Sequence, residues 1–229
     1  MALRPSESRT NYRGNVLVTA PATEPVTAAE LQTFARANST TLPDATAEAL
    51  ITRSRQFIEE MTGLAMITQS WSLTRDAWPG YNSLWWDGVL EMASTELQSD
   101  RARALTFPRY PLASITSVKT YDTASNETTV TVATTFDIDT TSRPGRMMPK
   151  SSAAWPTATR QINAIEITYV AGYGATATDV PPVLRDAVLC LSGYYYDHQG
   201  ECTMTEAFSK SGAADLVGAY ALPRLGVGI

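Results

Sequence analysis

The sequence predicts an α+β protein in which a small helical bundle is interrupted by a β-rich insertion. Three observations predict it. Apolar residues recur every 3.6 residues between about Ala28 and Gly63, the period changes to two from about Met66, and helical spacing returns after Asp179. Between the helical stretches threonine crowds the chain, with eleven lying between Thr106 and Thr141, as suits half-buried pleated strands.

Residues 1–25 read as an extended arm of Pro, Ser, Thr and Arg, whose one apolar run, Val16-Leu17-Val18, suits an edge strand that orders on assembly. Residues 26–65 form the first part of the helical domain. Thr27 and Glu30 have the spacing of a capping box, and Val26 and Leu31 that of a hydrophobic staple, so a helix is expected over Ala28–Asn38, burying Leu31, Phe34 and Ala35. Pro43-Asp44 opens a second helix with the stripe Leu50, Ile51, Ser54, Phe57, Ile58 and Met61, and Gly63 is its expected left-handed terminator.

Residues 66–178 are the β-rich insertion. Ile67, Trp71 and Leu73 alternate with polar neighbours, and further strands are expected at Leu105–Phe107, Ser114–Asp122, Thr128–Ala133, Thr135–Asp139 and Ala164–Val170. Pro108/Pro111, Ser125-Asn126 and Pro144-Gly145 mark the turns. Trp78, Tyr81, Trp85 and Trp86 form an aromatic-rich tip, read either as a cap on the β block or as a partner-binding surface. Residues 179–221 complete the helical domain: Pro181-Pro182 suits a first turn, Leu184, Val188, Leu191 and Tyr195 share one face, and a weaker helix is expected at Ala213–Ala221. The tail Leu222-Pro223-Arg224-Leu225-Gly226-Val227-Gly228-Ile229 is apolar and flexible, a segment expected to be received by a partner.

Composition narrows the function classes. With 229 residues, 44% hydrophobic and 18% charged, the chain is an ordinary globular one. A net charge of −5 argues against non-specific nucleic-acid binding, while an acidic wall would let DNA pass without adhering. No run approaches the roughly eighteen apolar residues that a membrane span needs, and the first residues lack the apolar core of a secretory signal, so cytoplasmic synthesis is expected. Cys190 and Cys202 cannot make a disulfide framework.

The catalytic inventory is poor. One histidine, His198, beside Asp197 on a helix end, makes neither a dyad nor a His-rich metal site, and no metal or other cofactor is expected. Gly172-Tyr173-Gly174-Ala175-Thr176-Ala177 matches a dinucleotide fingerprint by letter, but Thr178–Pro182 delays the helix that the fingerprint must open. The glycines read instead as a sharp exit from the last strand.

The order of these pieces resembles the head–tail connector (adaptor) proteins of long-tailed bacteriophages and phage-like gene transfer agents. The likeness is carried by Val26-Thr27-Ala28-Ala29-Glu30-Leu31, Ala49–Leu64 with Phe57-Ile58-Glu59-Glu60-Met61-Thr62-Gly63, Ile67-Thr68-Gln69-Ser70-Trp71, Phe107-Pro108-Arg109-Tyr110-Pro111-Leu112-Ala113-Ser114-Ile115, Ser117-Val118-Lys119-Thr120-Tyr121-Asp122, and Ile167–Gly174 with Val180-Pro181-Pro182. It spans roughly residues 25–222 and leaves out the arm and the segment Tyr81–Arg103. The resemblance implies a structural virion protein made in the bacterial host cytoplasm and placed in the neck. Such a protein binds the portal protein as a dodecameric ring of its own copies and extends the channel through which DNA passes. It also offers an attachment surface to the stopper or tail-completion protein. Portal docking would then fall to Leu222–Ile229, with Leu225 and Ile229 as anchors and Arg224 as an ion-pair partner. The rival expectations are another neck or tail-completion component, a carbohydrate- or protein-binding module using the aromatic tip, or an enzyme built on a carboxylate pair.

Overall fold

In the computed structural model, which describes residues 14–79, 104–150, 153–199 and 201–220, the N-terminal arm enters directly as a strand, β1 (Gly14–Thr19). A short polar stretch leads to α1 (Ala28–Phe34). Its cap is the predicted reciprocal box: Thr27 Oγ1 accepts the Glu30 N–H, and Glu30 accepts the Thr27 N–H at 2.7 Å. The helix ends at Phe34 and not at Asn38. Arg36 turns left-handed at φ 52°, and Asn38 accepts the N–H groups of Thr40 and Thr41 in a turn of its own. Phe34 is consequently 51% exposed instead of buried, with its ring edge against Gly193.

The second helix, α2, spans Asp44–Thr62 and stops at Gly63, whose φ of 82° is the left-handed terminator expected. Its buried face is Ala47, Ile51, Ser54, Ile58 and Thr62, joined by Arg55 and Glu59. Met61 is exposed, and Leu50 and Phe57 are half-buried. The buried stripe is thus rotated from the apolar one towards two charges.

Strand β2 (Gln69–Arg75) starts the insertion, and its residues alternate between buried and half-buried as the period of two requires. It is followed by β3 (Leu105–Thr106), β4 (Leu112–Tyr121), β5 (Glu127–Val130), the single turn α3 (Val132–Thr135), β6 (Phe136–Asp139), β7 (Arg146–Pro149) and β8 (Ile165–Ala171). The expected strand over Thr128–Ala133 is cut at Val130, because the chain makes a helical turn, closed by Thr135 N–H to Thr131 O, that brings Phe136 into the core. Strand β7 has no counterpart among the predicted elements. It pairs with β6 through Ile138↔Met147 and Asp139↔Arg146, across a turn in which Asp139 accepts the N–H groups of Thr141 and Ser142.

Two antiparallel sheets result. The larger has the order β1-β2-β8-β4-β5, the smaller β3-β7-β6. Register places Trp71 opposite Tyr169 and Leu73 opposite Ile167, so both strands bury the same face. With Phe107, Val118, Phe136 and Met147 they form one core. The helical core is separate: Leu31, Ile51, Ile58, Leu184, Val188, Leu191 and Tyr195 pack together.

After β8 a 3₁₀ turn (Ala177–Asp179) leads into α4 (Pro182–Asp197), with proline in the first turn and all four predicted core residues buried. A helix absent from the sequence reading, α5 (Met204–Lys210), follows, capped by Thr203 Oγ1 accepting the Glu206 N–H. The last, α6 (Ala213–Gly218), is shorter than the expected Ala213–Ala221. Among the described residues no helix is long and apolar enough to cross a membrane.

The capping box yields a pH prediction. The Thr27 backbone N–H, aided by Arg185 2.7 Å from Glu30 Oε1, holds the Glu30 carboxyl below its ordinary value of 4.5. A depressed folded pKa gives stability that is present above the unfolded value and is lost as pH falls through the folded one. Denaturant titrations of wild type and Glu30→Gln should therefore differ most above pH 4.5 and converge in acid. A gap that stays constant between pH 6 and about 3 would contradict this.

Candidate functional site

The described residues concentrate their buried polar chemistry at one place, the joint between the helices and the sheet. It is built on the last two turns of α2. Arg55 and Glu59 stand one turn apart and are 4% and 5% exposed. Glu59 accepts from Arg55 at 2.7 Å, from the Met66 N–H at 2.7 Å and from Gln69 Nε2 at 2.9 Å. Arg55 is in turn gripped by Glu24 through Nε at 2.7 Å and a second nitrogen at 3.2 Å, and Thr52 donates to the same carboxylate. Burial pushes the Glu59 carboxyl above its ordinary range, against the pull of Arg55. A single network thereby ties the N-terminal segment, α2 and the start of β2 together.

A second layer closes over it. Arg109 donates to the Glu59 carbonyl at 2.6 Å, pairs with Glu60, and lies with its guanidinium 4.6 Å from the Trp71 ring centre. Tyr110 exchanges backbone hydrogen bonds with Gly63 and Ala65, and its hydroxyl donates to the Thr62 carbonyl at 2.6 Å. The same hydroxyl lies 3.2 Å from the carbonyl of Tyr220, where the described C-terminus ends. From the other side, the loop after β8 donates Tyr173 N–H to Met66 O and accepts Thr68 N–H at Gly174 O. The connection Gly63–Thr68 is held on two sides by backbone hydrogen bonds. Chemically the arrangement is a rigid coupling, since every carboxylate oxygen of Glu59 is engaged by a structural donor.

The predicted site residues fall as follows. Trp78 is a core residue: it is 6% exposed, stacks on Trp155 with ring centres 4.5 Å apart, and donates its indole N–H to Pro156 O at 2.7 Å. Tyr81, Trp85 and Trp86 lie outside the described residues, as do all of Leu222, Pro223, Arg224, Leu225, Gly226, Val227, Gly228 and Ile229. His198 stacks on Tyr194 at the end of α4, with Nδ1 3.0 Å from the Tyr194 carbonyl. The loop Gly172–Ala177 closes on the protein itself: Gly172, at φ +139°, passes against the backbone of Ile67 and Thr68, and Asp179 caps Thr176. Both cysteines are free thiols, and no group of three or more His, Cys, Asp or Glu able to hold a metal occurs among the described residues.

Sequence reasoning missed the Arg55–Glu59 network and α5. Both left a signal. Arg55 and Glu59 are four residues apart on the face that carries Ile51 and Ile58, and Thr203-x-x-Glu206 is a capping signature.

The fold is similar to that of chains in solved structures. No protein-family model matches the chain, and no curated protein matches it. Solved structures do. A chain in the virion of a native gene transfer agent particle aligns at TM-score 0.68 and 23% identity, over 93% of this chain and 98% of that one. Chains in the neck of an empty particle, solved with C6 symmetry, and of a native particle, solved with C12 symmetry, align at 0.69 and 0.64. Both are 23% identical and cover 94% of this chain and 98% of theirs. At that identity the likeness is one of fold.

Proposed function

We propose that this chain is a structural neck protein of a phage-like virion, a head–tail connector that binds the portal as a ring. The observation that carries this reading is the likeness to neck chains over most of both lengths, 94% of this chain against 98% of theirs. Two of the sequence segments that resemble connectors help build the joint: Phe57–Gly63 supplies Glu59 and Thr62, and Phe107–Pro111 supplies Arg109 and Tyr110. A connector must transmit load between head and tail, and a rigid coupling of helices to sheet serves that purpose. The C12 symmetry of one neck fits a ring of twelve copies. In the neck, this ring would extend the DNA channel and offer its far side to the stopper or tail-completion protein. An acidic chain is suited to a channel wall from which DNA slides.

Docking to the portal is assigned to Leu222–Ile229, an apolar tail whose root at Tyr220 is held by Tyr110. Immobilised full-length protein should capture the portal encoded near its gene, and a chain truncated after Leu222 should not. Capture by both moves the docking surface elsewhere. Capture by neither contradicts the connector reading.

A further inference from the structure

We infer that the free edge of β1, Gly14–Thr19, is a surface through which one copy of this chain binds the next around the ring, an inference that rests on the ring reading above. Among the described residues, strand β1 pairs only with β2 and ends the five-stranded sheet. Its neighbours obey a strict alternation, with Trp71 and Leu73 turned into the core and Ser72 and Thr74 turned out. β1 breaks that rule. Register sets Leu17 opposite Trp71 on the core side and Val16 opposite Ser72 on the polar side, yet all three of Val16, Leu17 and Val18 are exposed, at 63%, 40% and 59%. An apolar residue on each face of an edge strand calls for cover on both faces.

The edge has a register shift between Leu17 and Thr19 but carries no charge or proline. Gly14–Thr19 contains no Lys, Arg, Asp, Glu or Pro, the residues that keep a free strand from pairing with another chain. The opposite edge is different: β5 begins at Glu127, which pairs with Lys119 at 3.0 Å. The sheet therefore has one sticky and one guarded edge. A cyclic ring is built from heterologous contacts, in which each copy offers two unlike surfaces, and β1 supplies one of them.

The strand is also presented ready-made. The stretch behind it is pinned by Thr23 Oγ1 to Ala175 O, by Glu24 to Arg55, and by Arg185 Nε to Pro25 O at 2.9 Å. An edge held in place before assembly loses little conformational freedom on pairing. This corrects the expectation of an arm that orders only on assembly: residues 14–19 are already paired with β2, and assembly is assigned the outer edge alone.

The test uses the full-length chain. Hydrogen–deuterium exchange of the peptide covering Gly14–Thr19 should slow about tenfold or more when the free protein assembles on portal. The double variant Val16→Lys/Val18→Lys should keep the wild-type melting temperature and lose ring formation, since a charged edge rejects a second strand. Unchanged exchange at β1 in wild-type rings overturns the inference and leaves the ring reading standing, as do normal rings from the lysine variant. Protection already complete in the free monomer assigns the edge to the chain's own residues, and protection by portal without ring formation assigns it to the portal. Either outcome overturns the inference. A wild-type protein that forms no ring overturns the ring reading and this inference with it.

Discussion

Replacing Arg55 by leucine should lower the unfolding free energy by about 3–5 kcal/mol, because it leaves the buried Glu59 carboxylate without its counter-ion. For a chain of this size that corresponds to a fall in melting temperature of about 6–20 °C. The loss exceeds that of a surface pair because Arg55 and Glu59 are almost wholly buried and the same guanidinium also holds Glu24. It should depend on pH in a definite direction. Burial holds the Glu59 pKa above its ordinary 4.5, and removing Arg55 raises it further. A raised folded pKa means stability that is present below the unfolded value and lost as pH rises through the folded one. The deficit of Arg55→Leu relative to wild type should thus be larger at pH 7 than at about pH 4. Denaturant melts at the two pH values measure it. Adding Glu59→Met should recover part of the loss, but not all, since Met66 N–H and Gln69 Nε2 then lose their acceptor.

Gly172→Ala is the second large effect. Gly172 sits at φ +139°, a conformation that side-chain-bearing residues avoid. A Cβ there would lie 2.6 Å from the Thr68 nitrogen and 2.7 Å from the Ile67 carbonyl atoms, which are backbone and cannot rotate away. Strain of about 1–3 kcal/mol and a packing cost of similar size give a total of about 2–6 kcal/mol. The control is Gly218→Ala at the end of α6, where nothing lies within 4 Å of the added carbon. That change should be neutral or stabilising by up to about 1 kcal/mol. Equal melting temperatures for the two variants would show that the Gly172 turn has no part in holding the joint.

Much of this was legible in the sequence because the signals were local. The Thr27–Glu30 box, the Gly63 terminator, the apolar face of α4 and the alternation of β2 each depend on residues within a few positions of one another. What escaped depended on distant partners. β7 is four residues, Arg146–Pro149, and its pairing with β6 cannot be read from so short a run. Arg55 and Glu59 are no part of the apolar stripe read from the sequence, and their partners Glu24, Met66 and Gln69 arrive from other parts of the chain. The turn at Val132–Thr135 overrode the strand preference of its β-branched residues so that Phe136 could reach the core. The site followed the same pattern. Phe107–Pro111 stood out as a motif, but its work, Arg109 on the end of α2 and Tyr110 on Thr62, is visible only in three dimensions.

Electron microscopy of the full-length protein mixed with the portal encoded near its gene tests the proposed connector role most directly. If this chain is a connector, a ring of twelve copies, the symmetry of the native neck whose chain is similar in fold, is expected coaxial with the portal and lying against one face of it. A protein that stays monomeric and unattached beside intact portal rings would contradict it.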